Sequence, residues 1–240
     1  DKSLSLGDDN LIMRAAKLIR SKSGEMGLGA SIELTKRIPI GAGLAGGSSD
    51  GAATLRGLNS LWKLGFSTKE LEVMSSVLGS DVPFCVSGGL QLCFGRGELL
   101  EPLDSPTATM ALILVKDPSV EVSTPWAYSR YKEINFSKYL TNESSFQKRR
   151  KLLRESVWLN PINGLNAPPL RNDLQDVVAP LIPAVGNSLK FLSSLKGAIS
   201  VAMSGSGPSC FALFPNYDEA KSTLDQNKNN LEKYGLKAWC

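Results

Sequence analysis

Apolar residues recur along this chain with two different periods, which predict where helices and strands alternate. From Leu11 to Ile19 they return at every third or fourth position, and this spacing predicts a helix from about residue 10 to 21. Apolar and polar residues then alternate from residue 30 to 38, as in a half-buried strand, and Pro39 ends the alternation. The chain thus opens with a helix followed by a predicted strand.

A glycine-rich turn at 41–47 precedes a second helical pattern, whose first turn holds Ser48, Ser49 and Asp50. Short polar residues of this kind are typical of helix N-termini. The segment therefore places a predicted strand, a glycine loop and a helix N-terminus in sequence.

Two further patterns follow before residue 100. Ser67 and Glu70 have the spacing of a capping box, so they predict another helix, which ends at Gly79. The segments VPFCV (82–86) and LQLCF (90–94) are joined by a Ser-Gly-Gly sequence, and we expect them to form a β-hairpin.

The C-terminal half begins with an apolar strand at about 110–115 and continues with helices through 195, broken by the turn-rich sequence NPINGLNAPP. The strands AISVAM and SCFALF, a helix at about 217–233 and a short strand LKAW follow. This order predicts a β-α-β-β-α-β split arrangement with extra helices, and a domain boundary near residue 105.

Composition limits the chemistry that the chain can perform. The 240 residues are 42% hydrophobic and contain no histidine, which excludes Ser-His and Cys-His nucleophile arrangements. The net charge of +4 is too small to indicate a nucleic-acid or membrane partner, and four cysteines without paired spacing favour reduced thiols. No apolar run approaches the roughly 18–20 residues of a membrane span, so we expect a soluble protein.

The glycine loop PIGAGLAGGSS is the strongest candidate site. Glycines let backbone amides approach a ligand closely, and a helix N-terminus favours an anion, so a phosphate group is the expected ligand. Gly41, Gly43 and Gly46 also fit the dinucleotide fingerprint, but no second strand with an acidic end follows. A Walker A loop would need lysine at Ser48. A glycine turn without a ligand stays open as an alternative.

These residues resemble the second motif of the GHMP kinases, P-x-G-x-G-L-G-S/G-S-S, with Ala45 where that family usually has glycine. We expect Ala45 to tolerate its methyl group through a negative φ. The resemblance implies that the loop binds ATP and that Ser49 is a ligand of Mg²⁺. The implied ATP-binding residues are Pro39, Ile40, Gly41, Ala42, Gly43, Leu44, Ala45, Gly46, Gly47, Ser48 and Ser49.

Asp81 in GSDVPF is, on residue type alone, an ordinary turn residue before a strand. The stretch resembles the segment that carries the catalytic aspartate in one GHMP group, the 4-diphosphocytidyl-2-C-methyl-D-erythritol kinases. The resemblance implies that Asp81 is the general base, because a carboxylate can align the acceptor hydroxyl and take its proton.

The sequence AMSGSGPSCFALF resembles the third GHMP motif, which implies substrate-binding roles for Gly205, Ser206 and Gly207. A plain hairpin turn is the alternative. VSTPWAY resembles the segment that offers an aromatic ring to cytosine, and Tyr128 aligns with that ring. Trp126 and Tyr128 could instead be packing residues.

Two other segments have simpler interpretations. QKRRKLLRE (147–155) is the one basic cluster, and we interpret it as the solvated face of a helix rather than a nucleic-acid contact. RNDLQ (171–175) resembles a helix opening of the family, with Asn172 or Asp173 as the cap.

The resemblance implies a two-lobed α+β GHMP kinase fold. Residues 1–105 would form an incomplete, ribosomal-protein-like, ATP-binding lobe, and 106–240 a ferredoxin-like lobe. No segment matches the family's N-terminal lysine motif, so we expect that an upstream part is absent and that the activity of this chain depends on it.

The activity implied is ATP-dependent phosphorylation of the 2-hydroxyl of 4-diphosphocytidyl-2-C-methyl-D-erythritol, in non-mevalonate isoprenoid biosynthesis. Alternatives are a homoserine- or mevalonate-type kinase and a non-catalytic nucleotide- or RNA-binding module. The expected partner is the small-molecule substrate, without nucleic acid or membrane, and a homodimer stays open. A cytoplasmic location is expected, with the plastid stroma as the alternative.

Overall fold

The structure, a computed structural model, consists of two compact units. One contains residues 1–40 and 45–104, and the other contains residues 41–44 and 105–240. The residues that it describes are Ser5, 7–103, 110–155 and 170–240. The predicted boundary at 105/106 lies outside the described residues and stays a prediction, as do the turns predicted within 160–169.

The first unit is mainly helical and ends in a small antiparallel sheet of two strands. Strand β1 pairs with β2 across the turn that contains Gly95 and Gly97, and Leu92 lies opposite Glu101. The elements are α1 (Leu11–Ser23), α2 (Gly46–Leu61), α3 (Thr68–Ser75), α4 (Val82–Ser87), β1 (Leu90–Phe94) and β2 (Leu99–Leu103).

Helix α2 lies at the centre of the first unit, because α1 and α4 both pack against it and α3 packs against α4. The apolar stripe that predicted α1 faces this core. Burying its leucine, isoleucine, valine and methionine side chains stabilises the unit by about 1.5–3 kcal/mol each. The buried residues are Ala15, Ile19, Ala52, Leu55, Leu58, Leu71, Met74, Leu78, Val82 and Val86.

Two strand predictions in this unit are wrong. Residues 30–38 belong to no strand, residue 38 lies in a bend, and Ile32 is exposed. A strand needs a neighbour to bond with its backbone, and among the described residues of this unit only β1 and β2 pair. VPFCV forms helix α4, because Pro83 lies in its first turn, where proline is well tolerated. The hairpin partner of LQLCF is therefore β2.

The second unit contains a four-stranded antiparallel sheet and helices that cover it. Among the described residues of both units, no helix is long and apolar enough to span a membrane. The elements are β3 (Ala111–Lys116), α5 (Thr124–Asn135), a 3₁₀ turn (Phe136–Lys138), α6 (Glu143–Arg154), α7 (Gln175–Val178), α8 (Pro183–Ser193), β4 (Ser200–Met203), β5 (Cys210–Phe214), α9 (Tyr217–Gln226), α10 (Lys228–Lys233) and β6 (Lys237–Trp239).

The sheet has the strand order β4-β5-β3-β6, in which every neighbouring pair is antiparallel. The register places Ile113 opposite Ala212 and Val115 opposite Cys210. This order is that of a β-α-β-β-α-β split unit, and it confirms the ferredoxin-like arrangement predicted for this part of the chain.

Helix α8 packs against β4 and β5, while α9 packs against β3 and β5. Alternate residues of β5, namely Cys210, Ala212 and Phe214, are fully buried, which is the period-2 pattern of a strand covered on one face. Helix α6 carries the basic cluster and buries none of its residues, which confirms the interpretation as a solvated helix.

Candidate active site

The glycine loop leads into α2, whose N-terminus has no side-chain cap. The first intrahelical bond runs from Ser49 N to the Ala45 carbonyl at 2.9 Å, so the amides of Gly46, Gly47 and Ser48 precede the helical hydrogen-bond ladder. Three uncapped amides and the positive end of the helix dipole favour an anion. The local geometry thus fits a phosphate-binding N-terminus.

Ala45 corrects one expectation, because its φ is +50° rather than negative. The residue takes the N-cap position of α2 in the left-handed region, where a Cβ costs about 1–2 kcal/mol. The loop turns into the helix at this residue, and that turn requires the left-handed conformation that glycine would adopt without cost. Ala45 therefore stores strain at the N-cap position of α2.

Gly43 has the least space of the loop glycines. Its φ is +70°, and a Cβ there would lie 2.5 Å from the Ser204 carbonyl oxygen and 2.7 Å from that of Gly207. Only glycine fits where two backbone segments come this close. The contact brings the second predicted motif against the third, within the second unit.

Several hydrogen bonds join these two motifs. The Ser204 hydroxyl donates to the Gly43 carbonyl at 2.9 Å, and Ser209 N donates to the Ala42 carbonyl at 3.4 Å. Within the turn, Ser204 N bonds to Ser209 O at 2.9 Å and Gly207 N bonds to Ser204 O at 2.8 Å. These bonds hold residues 204–209 in a turn that packs against residues 42–43.

Asp81 occupies the N-cap position of α4, yet its side chain makes no capping bond. The residue is exposed, and no hydrogen-bond or ion-pair partner of its carboxylate is found among the described residues. Its negative charge, after burial, is the second cause that raises the pKa of the Cys85 and Cys93 thiols. A carboxylate without a structural bond is available to accept a proton from a ligand.

Tyr128 lies on α5 and exposes 59% of its surface, and Trp126 exposes 37%. Such an exposed ring does not fit the packing alternative for Tyr128. Its role towards cytosine stays a prediction. Next to it on the same helix, the Thr124 hydroxyl lies 2.8 Å from that of Ser206, so α5 contacts the third-motif turn.

Sequence reasoning missed the ion pair between Lys36 and Asp50. Both side chains are largely buried, and the Lys36 ammonium contacts the Asp50 carboxylate near the start of α2. A Cβ on Gly46 would lie 3.4 Å from Lys36 Nζ. In the sequence, the pair is visible only as a lysine before the glycine loop and an aspartate in the first turns of the next helix. This pattern is too general to predict an ion pair.

The RNDLQ segment does more than open a helix. Asn172 Oδ1 accepts from Leu174 N at 3.0 Å, but α7 begins at Gln175 with Leu174 as its N-cap and no side-chain capping bond, so the predicted cap at Asn172 or Asp173 is wrong. Asp173 instead pairs with Arg171, at 2.6 Å between Oδ1 and Nε. Burial and the Asp173 charge raise the pKa of the neighbouring Tyr131 phenol.

Mg²⁺ would have to be carried largely by phosphates. Among the described residues no group of three or more acidic or cysteine side chains could hold a metal ion, and Asp50 is engaged by Lys36. Ser49 is exposed in the first turn of α2 and can offer one hydroxyl. This donor set fits Mg²⁺, which usually keeps waters and substrate phosphates as ligands.

Two family models match this chain. Residues 10–89 match the GHMP kinases N terminal domain, and residues 146–233 match the GHMP kinases C terminal domain. A crystal structure of 4-(cytidine 5'-diphospho)-2C-methyl-D-erythritol kinase is 30% identical with a TM-score of 0.70, covering 98% of this chain and 79% of that one. The homoserine kinase of Cytophaga hutchinsonii, at 21% identity and a TM-score of 0.72, covers 99% of this chain and 76% of its own, and shows the shared fold alone.

Curated relatives are more similar still. The 4-diphosphocytidyl-2-C-methyl-D-erythritol kinase of Prochlorococcus marinus (strain MIT 9303) is 61% identical over 240 residues, which is 100% of this chain and 75% of that protein. The enzyme of that name from Synechococcus sp. (strain CC9605) is 59% identical over 239 residues, covering 100% of this chain and 78% of its own. The chain therefore belongs to the GHMP kinase family, in the group of the 4-diphosphocytidyl-2-C-methyl-D-erythritol kinases.

Proposed function

We propose that this kinase phosphorylates the 2-hydroxyl of 4-diphosphocytidyl-2-C-methyl-D-erythritol with ATP, in non-mevalonate isoprenoid biosynthesis. The observation that carries the proposal is the 61% identity to a kinase of that name over all 240 residues. Homoserine- and mevalonate-type activities, and a non-catalytic nucleotide- or RNA-binding module, are not favoured, because the homoserine kinase of the same fold is only 21% identical. The cytoplasm is the compartment we propose.

The proposed ATP site is the glycine loop, from Pro39 to Ser49. Its support is the uncapped start of α2 and the close backbone approach at Gly43. ATP, when bound with Mg²⁺, supplies the phosphoryl group that is transferred. The amides of Gly46, Gly47 and Ser48 would hold phosphate oxygens, and the Ser49 hydroxyl would be the one protein ligand of the metal.

The proposed base is Asp81. Its exposed carboxylate has no partner among the described residues, so it can hold the acceptor hydroxyl in place and accept its proton as the new oxygen–phosphorus bond forms. The turn at Gly205, Ser206 and Gly207 would bind the acceptor's anionic groups through the amides of Gly205 and Ser206, because Gly207 N is already bonded to the Ser204 carbonyl. The exposed ring of Tyr128 would stack on cytosine.

Transfer to 4-diphosphocytidyl-2-C-methyl-D-erythritol is measured by ³¹P NMR, with homoserine and mevalonate as competing acceptors. The assay is run on the 240-residue chain and on the product of the whole gene, because the family's lysine motif has no match here. We expect only the cytidyl acceptor to be phosphorylated. Transfer to homoserine or mevalonate instead would overturn the substrate assignment.

Asp81→Asn tests whether Asp81 acts in catalysis rather than in ATP binding. We expect kcat to fall by about 100- to 10,000-fold, as for loss of a general base, while the Kd for ATP changes by less than about threefold. Asp218→Asn is the matched control, because Asp218 is an exposed residue in the first turn of α9. An Asp81→Asn enzyme with unchanged kcat would remove Asp81 from the mechanism.

A further inference from the structure

Asn172 uses its whole side-chain amide on backbone groups of the second unit. Its Nδ2 donates to the Met203 carbonyl at 2.7 Å and to the Gly205 carbonyl at 2.8 Å, and its Oδ1 accepts from Leu174 N. An asparagine amide has two donor hydrogens, so both are used. A helix cap would need only the oxygen, which leaves the two donor bonds to be explained.

The turn at residues 204–209, which receives these bonds, has two backbone amides without an acceptor among the described residues. Ser204 N, Gly207 N and Ser209 N are bonded to backbone carbonyls, and Pro208 has no N–H. The amides of Gly205 and Ser206 have no acceptor among the described residues. Successive free amides in a glycine turn form a concave anion site.

The peptide between Gly205 and Ser206 connects the two observations. A trans peptide points its C=O and its N–H in opposite directions, so the bond from Asn172 to the Gly205 carbonyl also fixes the direction of the Ser206 N–H. Gly205 has φ +54° and no Cβ, so without that bond the peptide plane could rotate at little cost.

Neighbouring contacts hold the rest of the turn. Gln175 Oε1 accepts from Met203 N at 2.8 Å, and the Thr124 hydroxyl bonds to that of Ser206. Neither contact reaches the Gly205 carbonyl. Among the described residues, Asn172 is therefore the side chain that sets this peptide, 33 positions away in the sequence.

We propose that Asn172 is a positioning residue for phosphoryl transfer, which holds the Ser206 N–H as a preorganised donor to an anionic oxygen of the bound reactants. The inference rests on the proposed function, in which this turn binds the reactants. A donor already held in place costs no reorganisation when charge develops, and misplacement of such a group commonly lowers kcat.

Asn172→Asp tests the proposal, because it keeps the shape and the acceptor for Leu174 N but removes both donors. Asn142→Asp makes the same change at the exposed N-cap of α6, where only the oxygen is used. Asn172→Ala is the second variant, for use if carboxylate repulsion against two carbonyls prevents Asn172→Asp from folding.

Two readouts are compared for all variants. The first is kcat and KM for the cytidyl acceptor, and we expect kcat to fall about 10- to 100-fold in the Asn172 variants with KM changed less than about threefold. The second is the ¹⁵N–¹H resonance of Ser206 on titration with AMP-PNP and Mg²⁺, then with the acceptor. We expect a saturable shift in the unsubstituted chain and in Asn142→Asp, and its loss in the Asn172 variants.

The outcomes separate this inference from the proposed function. A folded Asn172 variant that keeps both its kcat and the Ser206 shift would overturn the positioning role while leaving the kinase assignment intact. A lowered kcat with the Ser206 shift retained would overturn it too, because Asn172 would then act elsewhere. If the product of the whole gene phosphorylates homoserine or mevalonate instead, while its kcat and its Ser206 shift still depend on Asn172, the substrate assignment fails and the positioning role stands.

Discussion

The hydroxyl of Ser204 donates a hydrogen bond to the carbonyl oxygen of Gly43, with 2.9 Å between the two oxygens. The two residues are 161 positions apart, and each belongs to a glycine motif. Residues 41–44 of the first loop are grouped with the second unit, so both partners lie within one compact body. The close approach of these two turns leaves Gly43 the least space of the loop glycines.

Gly43→Ala is expected to destabilise the protein by about 2 kcal/mol or more. Its Cβ would meet two carbonyl oxygens under 3 Å away, and the residue has φ +70°. Gly57→Ala is the matched control. Gly57 lies within α2 with nothing within 4 Å of an added Cβ, so that change should stabilise by about 0.5–1 kcal/mol. Urea unfolding measures both, and equal effects would contradict the argument.

Ala45→Gly is expected to stabilise the protein. The positive φ of Ala45 costs about 1–2 kcal/mol, and glycine removes that cost. Glycine also raises the conformational entropy of the unfolded chain, which lowers the stability of the folded protein by about 0.4–1 kcal/mol. The net gain should be about 0.5–1 kcal/mol, measured by the midpoint of urea unfolding at constant m-value. A loss of stability would mean that the left-handed conformation at this N-cap carries no strain.

Ser67→Ala should lower the free energy of unfolding by about 1 kcal/mol, because both halves of the α3 capping box are formed.

Hydrogen bonds from the backbone and the side chain of Ser67 lower the pKa of Glu70 below 4.5. A lowered pKa gives stability that is present above 4.5 and lost as the pH falls through the folded value. The unsubstituted protein should therefore have a higher Tm than Glu70→Gln above pH 4.5, and this difference in Tm should become smaller as the pH falls below 4.5. A difference in Tm that does not change with pH would contradict this.

Cys210 should resist alkylation by iodoacetamide at about pH 8 while Cys240 reacts. Burial raises the pKa of the Cys210 thiol to about 12, and the residue is fully buried, whereas Cys240 is exposed. The unfolded thiol, with a pKa near 9.0, loses its proton first, so this group lowers stability as the pH rises from 9 towards 12. Mass spectrometry of alkylated peptides gives the order, and early labelling of Cys210 would contradict the buried placement.

Local patterns were sufficient wherever neighbours in sequence are also neighbours in space. The periodicity from Leu11 to Ile19 predicted α1, and the pair Ser67 and Glu70 predicted the capping box of α3, because these contacts lie within one turn or two of a helix. The order of strands and helices in the C-terminal half predicted the split sheet, since few topologies accommodate that order.

The sequence by itself determined the helices that carry their own caps and apolar stripes, the order of the C-terminal strands, and the motifs from which the family follows. Only the tertiary structure decided that residues 30–38 form no strand, that Ala45 takes a positive φ, and that Asn172 holds the Gly205 carbonyl. The reason is that a helix completes its hydrogen bonds within its own turns. A strand, a strained turn or a long-range amide contact depends on partners that the rest of the fold brings to it.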